Sequence, residues 1–208
     1  MDFRLIARNL LLFVTVFLLS SEWVFATLLR PAAAGAVTGR VTVKGIRDAR
    51  DVVVYFDRIP GKTFAPPGRP LVLDQVNLTF VPHVIPVLVG TTVAFPNSDE
   101  VRHNVFSPGR ASKFNLGTYP RGATKYKIFD KPGEVTLLCN VHAEMSAFVI
   151  VTETPYFAVT HTSGNFTIND IPPGTYVVKT WHEKLKAQSR QIEIKGDETV
   201  RLDLELSR

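Results

Sequence analysis

Short runs of alternating apolar and polar residues, separated by glycine, proline, asparagine and aspartate, fill the chain from residue 35 onwards. Residues 37–43 read VTGRVTV, and residues 175–181 read TYVVKTW. Alternation with a period of two is typical of β-strands, which place successive side chains on opposite faces. No stretch beyond residue 34 has the 3.6-residue apolar period of a helix. We therefore predict an all-β protein built from small β-sandwiches.

The first 34 residues have a different character. A positively charged start precedes an apolar run at residues 10–19, and small residues at Ala26 and at 32–34 offer cleavage sites. This is the pattern of a secretory signal peptide. The apolar stretch continues far enough to leave an uncleaved membrane anchor open, although Glu22 lies inside it, where a charge is costly. We predict that residues 1–34 are an export signal and that the remainder is periplasmic or otherwise extracytoplasmic.

Residues 139–145 read CNVHAEM and place a thiolate, an imidazole and a thioether within one short loop. Together these form a soft donor set that suits copper. A single cysteine in an exported chain can form no intramolecular disulfide, so a ligand role explains Cys139 better than an inert buried thiol does. A second imidazole must come from upstream, and His103, just after an apolar strand, is the best candidate. We predict a metal site formed by His103, Cys139, His142 and Met145.

Two other interpretations of these residues are weaker. Cys139 and His142 could act as a nucleophile and its base, but their spacing is short for such a pair and no oxyanion-binding glycine motif adjoins them. Zinc accepts one Cys and two His with an open fourth position, although the thioether of Met145 is a poor zinc ligand. Three other histidines lack a neighbouring Cys, Met or second His and are left out of the site: His83, His161 and His182.

These residues carry a resemblance to a known family. Residues 90–97 (GTTVAFPN), the following segment 103–105 (HNV) and the Cys-x-x-His-x-x-Met spacing of residues 139–145 resemble the cupredoxins, in particular the amicyanin-like and plastocyanin-like ones. The resemblance covers residues 80–151 and implies a Greek-key β-sandwich. It implies one type 1 copper ion with the two histidines and the cysteine as equatorial ligands and the methionine as axial ligand. It also implies a periplasmic single-electron carrier, of the kind associated with methylamine utilisation. Asn104 is expected to tie the two ligand segments together through its side-chain amide.

The flanks of that region resemble a different fold. Residues 164–168 (GNFTI) and 172–176 (PPGTY), with the opening strand at 37–41 (VTGRV), are similar to the carboxypeptidase regulatory-like domain, a transthyretin-like and carbohydrate-binding-like β-sandwich. A proline-rich and glycine-rich stretch at residues 59–70 is typical of a linker or long loop.

Four segments follow from these patterns. They are a signal at 1–34, strands and a linker at 35–69, a cupredoxin domain at 70–153 and a second β-sandwich at 154–208. Two arrangements fit them. Either residues 37–58 and 154–208 form one sandwich with the cupredoxin inserted between them, or two domains follow in tandem with the first strands extending the cupredoxin. Insertion at an exposed loop is common enough to allow the former.

The expected function is electron transfer with a redox partner protein, because type 1 copper has no open coordination position for the chemistry of an enzyme. An exposed edge of His142 would pass the electron. One alternative is a copper storage or delivery module whose second sandwich binds a glycan, an envelope component or a partner protein. Residues 181–183 (WHE) are one candidate contact for such a partner. Another alternative is a structural scaffold with a degenerate metal site. The net charge of +5 is spread out, which argues against nucleic acid, and a membrane is a partner only if the signal stays uncleaved.

Overall fold

The structure is a computed structural model that describes residues 34–109 and 112–208. The predicted export signal lies outside the described residues except at its last position. In the described part of the chain, no helix has the length and apolar character needed to cross a membrane.

The described secondary structure consists of β-strands, which confirms the all-β prediction. The strands are β1 (Gly35–Lys44), β2 (Val53–Phe56), β3 (Leu71–Val72), β4 (Asp74–Val76), β5 (Thr79–Val81), β6 (Val84–Leu88), β7 (Thr91–Pro96), β8 (His103–Ser107), β9 (Phe114–Tyr119), β10 (Thr124–Phe129), β11 (Gly133–Leu138), β12 (Ser146–Thr152), β13 (Phe157–Val159), β14 (Asn165–Ile171), β15 (Gly174–Trp181), β16 (Ser189–Ile194), β17 (Thr199–Arg201) and β18 (Leu204–Ser207).

The middle of the chain forms one β-sandwich, which we call the central sandwich. Its larger sheet has the strand order β6-β12-β11-β8-β9, and its smaller sheet has the order β10-β7-β3. Phe95 and Phe129 from the smaller sheet share a buried core with Leu137 and Val149 from the larger one. Because side chains alternate along each strand, these apolar side chains point from each sheet toward the other, and the two sheets enclose one core.

Strands from both ends of the described chain form a second sandwich, which we call the terminal sandwich. One of its sheets contains β14, β1, β17 and β18, and the other has the order β13-β2-β15-β16. β1 pairs with β14 antiparallel and with β17 and β18 parallel, whereas β2 pairs with β13 and β15 antiparallel. A core that includes Val37, Phe56, Ile168 and Ile194 fills the space between the sheets. The first two strands thus pair with strands that follow residue 154.

The alternating run at residues 199–206 forms two strands and not one. Its two parts, β17 and β18, pair with successive segments of β1. At the break, the Leu202 N–H donates to the Thr38 carbonyl at 2.8 Å, and Asp203 Oδ1 accepts the Arg40 N–H at 2.9 Å. A side chain therefore replaces one rung of the backbone ladder, which the alternating pattern could not reveal.

The break brings backbone so close to β1 that a glycine is required there. A Cβ atom on Gly39 would lie 1.8 Å from the carbonyl oxygen of Leu202, and backbone cannot give way as a flexible side chain can. We expect Gly39→Ala to lower the free energy of unfolding by roughly 1–3 kcal/mol, measured by urea denaturation. Gly68→Ala is the control, because a Cβ there meets no atom within 4 Å, and it should stay within about 0.5 kcal/mol. Equal stabilities for the two variants would contradict the close approach.

Candidate metal centre

The loop between β11 and β12 carries three of the four predicted ligands. The last pair of the hairpin, Leu138 with Ser146, brings the two ends of the loop together. Inside the loop, the Cys139 N–H donates to the Met145 carbonyl at 3.3 Å, and the Met145 N–H donates to the His142 carbonyl at 3.1 Å. The hairpin register and these bonds fix where the loop side chains can point. Residues 139–145 follow β11 and precede β12.

The fourth predicted ligand comes from a neighbouring strand. His103 is the first residue of β8, which lies beside β11 in the larger sheet. The Leu138–Phe106 pair joins the two strands near the loop. His103 is fully buried and Cys139 nearly so, whereas His142 is half-buried. One side of the site is therefore closed by protein, and His142 is its most exposed member.

The structure brings His103, Cys139 and His142 together. Their ligand atoms all lie within 4.8 Å of one another, and the Nδ1 atoms of the two histidines are 3.1 Å apart. Two nitrogens bound to one ion at about 2.0 Å and at a tetrahedral angle lie about 3.3 Å apart. The separation in the structure therefore fits two imidazoles that share one ion.

Met145 lies next to this group in the fold. It is buried, and it belongs to the same core cluster as Cys139. A buried thioether is a weak, soft donor, which suits copper better than zinc. The ligand role of Met145 remains a prediction, but its chemistry fits a copper ion held by the other three side chains.

Asp99 orients His103. Its Oδ2 lies 2.7 Å from His103 Nε2, and its carboxylate also accepts the backbone N–H groups of Asn77 and Leu78. Because an ionised carboxylate only accepts, Nε2 carries the proton and the lone pair of Nδ1 faces His142. Burial acts to raise the pKa of Asp99, but the hydrogen bonds from Leu78, His103 and Asn77 outweigh it and hold the pKa below its ordinary value. The carboxylate therefore remains charged.

The sequence patterns did not reveal this role of Asp99, because the backbone groups it binds lie more than 20 residues away along the chain. An acidic residue four positions before the predicted ligand His103 was the available signal. Carboxylate–histidine–metal arrangements are common in metal sites, so that spacing is a reasonable place to look.

Asn104 has a different partner from the one predicted. Its side-chain amide donates to Asn115 Oδ1 at 2.8 Å and to the Gly117 carbonyl at 3.1 Å. It therefore ties β8 to β9 rather than to the ligand loop. The prediction that its side chain joins the two ligand segments is wrong, because β9 lies on the other side of β8 from β11.

A buried polar network lies behind the site. Gln75 Nε2 donates to the Tyr119 hydroxyl at 2.6 Å and to the Pro96 carbonyl at 2.8 Å, and the Tyr119 hydroxyl donates to the Phe95 carbonyl at 3.0 Å. Burial raises the pKa of Tyr119 well above its ordinary value, although the bond from Gln75 opposes this. The neutral phenol therefore cross-links β4, β7 and β9 without introducing charge near Cys139.

The three histidines left out of the predicted site lie outside the group formed by His103, Cys139 and His142. His83 nevertheless touches the segment that follows Met145, because its Nδ1 lies 3.1 Å from the Ser146 carbonyl oxygen.

Comparison with known proteins gives partial matches. Residues 134–202, less than half of the chain, match a family model described as polysaccharide lyase family 4, domain II. No curated protein matches the chain. The relation of the terminal sandwich to the carboxypeptidase regulatory-like domain therefore stays a prediction.

Several solved structures are similar to part of the chain. A Cu-containing nitrite reductase from Thermus scotoductus is 24% identical, with a TM-score of 0.40 over 55% of this chain and 28% of its own. A reduced mutant of amicyanin is 20% identical, with a TM-score of 0.39 over 47% of this chain and 97% of its own. A purple cupredoxin from Nitrosopumilus maritimus is 23% identical, with a TM-score of 0.36 over 39% of this chain and 99% of its own. The chain thus spans little more than a quarter of the nitrite reductase.

The contact between Asp99 and His103 can be tested by metal affinity. We expect Asp99→Asn to weaken Cu(I) binding by about 10–100-fold, because the amide cannot hold both the imidazole and two backbone N–H groups as a carboxylate does. Competition with a chromogenic Cu(I) chelator measures this. Glu100→Gln is the control, since Glu100 is exposed and pairs with Arg121, and it should bind as the parent does. Parent-like affinity in Asp99→Asn would remove Asp99 from the site.

Proposed function

We propose that this protein binds one type 1 copper ion through His103, Cys139, His142 and Met145 and carries single electrons between redox partners. The observation that carries the proposal is the His–Cys–His group, in which His103 and Cys139 are buried and the two histidine Nδ1 atoms lie 3.1 Å apart. Two imidazoles, one thiolate and a weak thioether form the donor set of electron-transfer copper sites. Bound copper would supply a one-electron couple between Cu(I) and Cu(II).

The residues of the chain would keep the site rigid during that cycle. Asp99 fixes the ring of His103, and the Val141 N–H lies 3.4 Å from the Cys139 sulfur as a hydrogen-bond donor. Such bonds to a thiolate reduce its electron donation and so tune the potential of a bound metal. Ligands held in place in both oxidation states keep the structural change on electron transfer small, which favours fast transfer.

We further propose that the central sandwich, residues 70–153, is the cupredoxin domain and that the terminal sandwich is one domain interrupted by it. The pairing of β1 and β2 with strands beyond residue 154 supports this division. Export to the periplasm, a link to methylamine utilisation and a glycan or envelope partner for the terminal sandwich remain predictions from the sequence.

Addition of one equivalent of Cu(II) tests the copper site. We expect an intense visible band from the thiolate and a narrow copper hyperfine splitting in the electron paramagnetic resonance spectrum. Cys139→Ser should abolish the band, because the thiolate is its source. Met145→Leu, which has nearly the same volume, should keep the band and change the reduction potential.

Two outcomes would redirect the proposal. A colourless protein that binds Cu(I) tightly and exchanges it with a chelator at neutral pH would favour storage or delivery. A chain that prefers Zn(II) would make the site structural, since zinc has no redox chemistry.

Exposed apolar side chains lie on the segments next to the residues of the site. Leu78, Val101 and Val141 are each at least 40% exposed, and they lie on the segments that contact Asp99, His103 or Cys139. A small apolar surface is typical of weak, transient docking. We propose that redox partners approach through this surface, which we call the His142 face.

Electron self-exchange between two copies tests the His142 face without a known partner. We expect Val141→Lys to slow self-exchange, measured by nuclear magnetic resonance line broadening in mixtures of Cu(I) and Cu(II) protein, because two like charges meet at the docking surface. The copper spectrum should not change. Val177→Lys is the matched control, because Val177 is similarly exposed but lies in the terminal sandwich. Equal slowing in both variants would place electron exchange elsewhere.

A further inference from the structure

The β11–β12 hairpin, which carries the ligand loop, is covered on both faces. Val135 and Ala147 point into the core of the central sandwich. Ile150 is buried on the opposite face, where it packs with Val53 of the terminal sandwich. Because side chains alternate along a strand, one hairpin can serve both cores. The ligand loop is therefore attached to an element that the terminal sandwich contacts directly.

Trp181 contributes two of these contacts. It is the last residue of β15, and its Nε1–H donates to Glu134 Oε2 of β11 at 2.8 Å. Its ring centroid lies 5.0 Å from that of Phe148 in β12. One side chain of the terminal sandwich therefore holds both strands of the hairpin.

His83 holds the end of the ligand loop. Its Nδ1 lies 3.1 Å from the carbonyl oxygen of Ser146, the residue directly after Met145. A carbonyl oxygen only accepts, so Nδ1 carries the proton of this bond. The imidazole also packs edge to face against the Phe148 ring, with a centroid distance of 5.5 Å. The backbone carbonyl of His83 accepts the Phe148 N–H at 2.9 Å. A shift of this histidine would move the start of β12.

The terminal sandwich reaches the other side of the same imidazole. Glu183 Oε1 lies 3.6 Å from His83 Nε2 and 3.0 Å from Lys184 Nζ. Burial acts to raise the pKa of Glu183, but the contacts with Lys184 and the nearby histidines outweigh it and lower the pKa, so the carboxylate is charged. Glu183, in the loop between β15 and β16, therefore places a negative charge beside His83.

We propose that His83 and Trp181 are positioning residues through which the terminal sandwich fixes the ligand hairpin and so sets the geometry of the metal site. The copper aspect of this inference rests on the proposed function, whereas the mechanical aspect does not. The terminal sandwich is then part of the redox unit rather than an independent attachment. A partner or ligand that displaced Glu183 or Trp181 would alter the metal site without touching a ligand.

The mechanical aspect can be measured in the metal-free protein. Cys139 is 5% exposed, so a thiol reagent reacts with it only when the ligand loop opens. We expect His83→Phe, which keeps the ring and loses both nitrogens, to speed the reaction of Cys139 with Ellman's reagent about three- to tenfold. His83→Asn places an amide donor near the position of Nδ1 but lacks the nitrogen that faces Glu183, so its rate should lie between those of His83→Phe and the parent.

Variants in the terminal sandwich test whether the effect crosses between the sandwiches. Trp181→Phe removes the donor to Glu134 but keeps an aromatic ring, and Glu183→Gln removes the charge facing His83. Both should speed the reaction of Cys139. His161→Phe is the matched control, because His161 is an exposed histidine of the same sandwich and should leave the rate unchanged. Thermal unfolding of each variant shows whether the chain remains folded as a whole.

The copper-loaded protein supplies the second readout. We expect His83→Phe and Trp181→Phe to keep the thiolate band and to change the copper hyperfine splitting and the reduction potential, because the position of Met145 relative to the other donors changes. His83→Asn should change both properties less than His83→Phe does, because it keeps a donor to the Ser146 carbonyl.

The outcomes separate this inference from the proposed function. If the parent shows no thiolate band, the copper proposal fails, but the reaction rates of Cys139 still decide whether the terminal sandwich holds the loop. If folded His83→Phe and Trp181→Phe both react as the parent does, the inference is overturned. If His83→Phe does not fold, Trp181→Phe and Glu183→Gln decide it in the same way.

Discussion

The pairing of β11 with β12 is the interaction on which the rest of this structure depends. Its register places Val135 opposite Val149 in one core and Glu134 opposite Ile150 on the other face. A slip by one residue would exchange the two faces, burying Glu134 and directing core side chains outward. Packing on both faces of the hairpin therefore fixes its register. The seven-residue loop at 139–145 starts and ends at the last pair of the hairpin, so the positions of its two ends are fixed as well.

The orientation of His103 depends on a second, less obvious constraint. Asn77 and Leu78 have φ angles of 51° and 57°, a left-handed conformation that costs an L residue roughly 1–2 kcal/mol. In that conformation their two N–H groups both donate to Asp99. Charge-assisted hydrogen bonds of this kind contribute about 1.5–3 kcal/mol each, which offsets the strain of the turn. A strained turn between β4 and β5 thus holds the carboxylate that orients a buried imidazole.

The features predicted from sequence are those encoded by neighbouring residues. The loop at 139–145 carries its donors in fixed order, and alternating runs mark strands such as β1 and β15. β9 has no clear alternation, because Gly117 and exposed polar residues interrupt its pattern. Asp99 and Asn104 could not be interpreted correctly, since their partners depend on which strands become neighbours in space. His83 illustrates this limit, because it lies 63 residues before Ser146 and no local sequence pattern predicts their contact.

The way the central sandwich is attached explains how modest contacts can hold it. Its segment leaves the terminal sandwich after Phe56 and returns at Thr154, whose hydroxyl donates to the Phe56 carbonyl at 2.9 Å. Because both ends of the segment are tied at one place, the two sandwiches meet at a high effective concentration, and little orientational freedom is left to lose. A few side-chain contacts, such as those of Trp181 and His83, are then enough to select one relative position. A tandem arrangement with a single flexible linker would need a much larger interface to hold the ligand hairpin equally well.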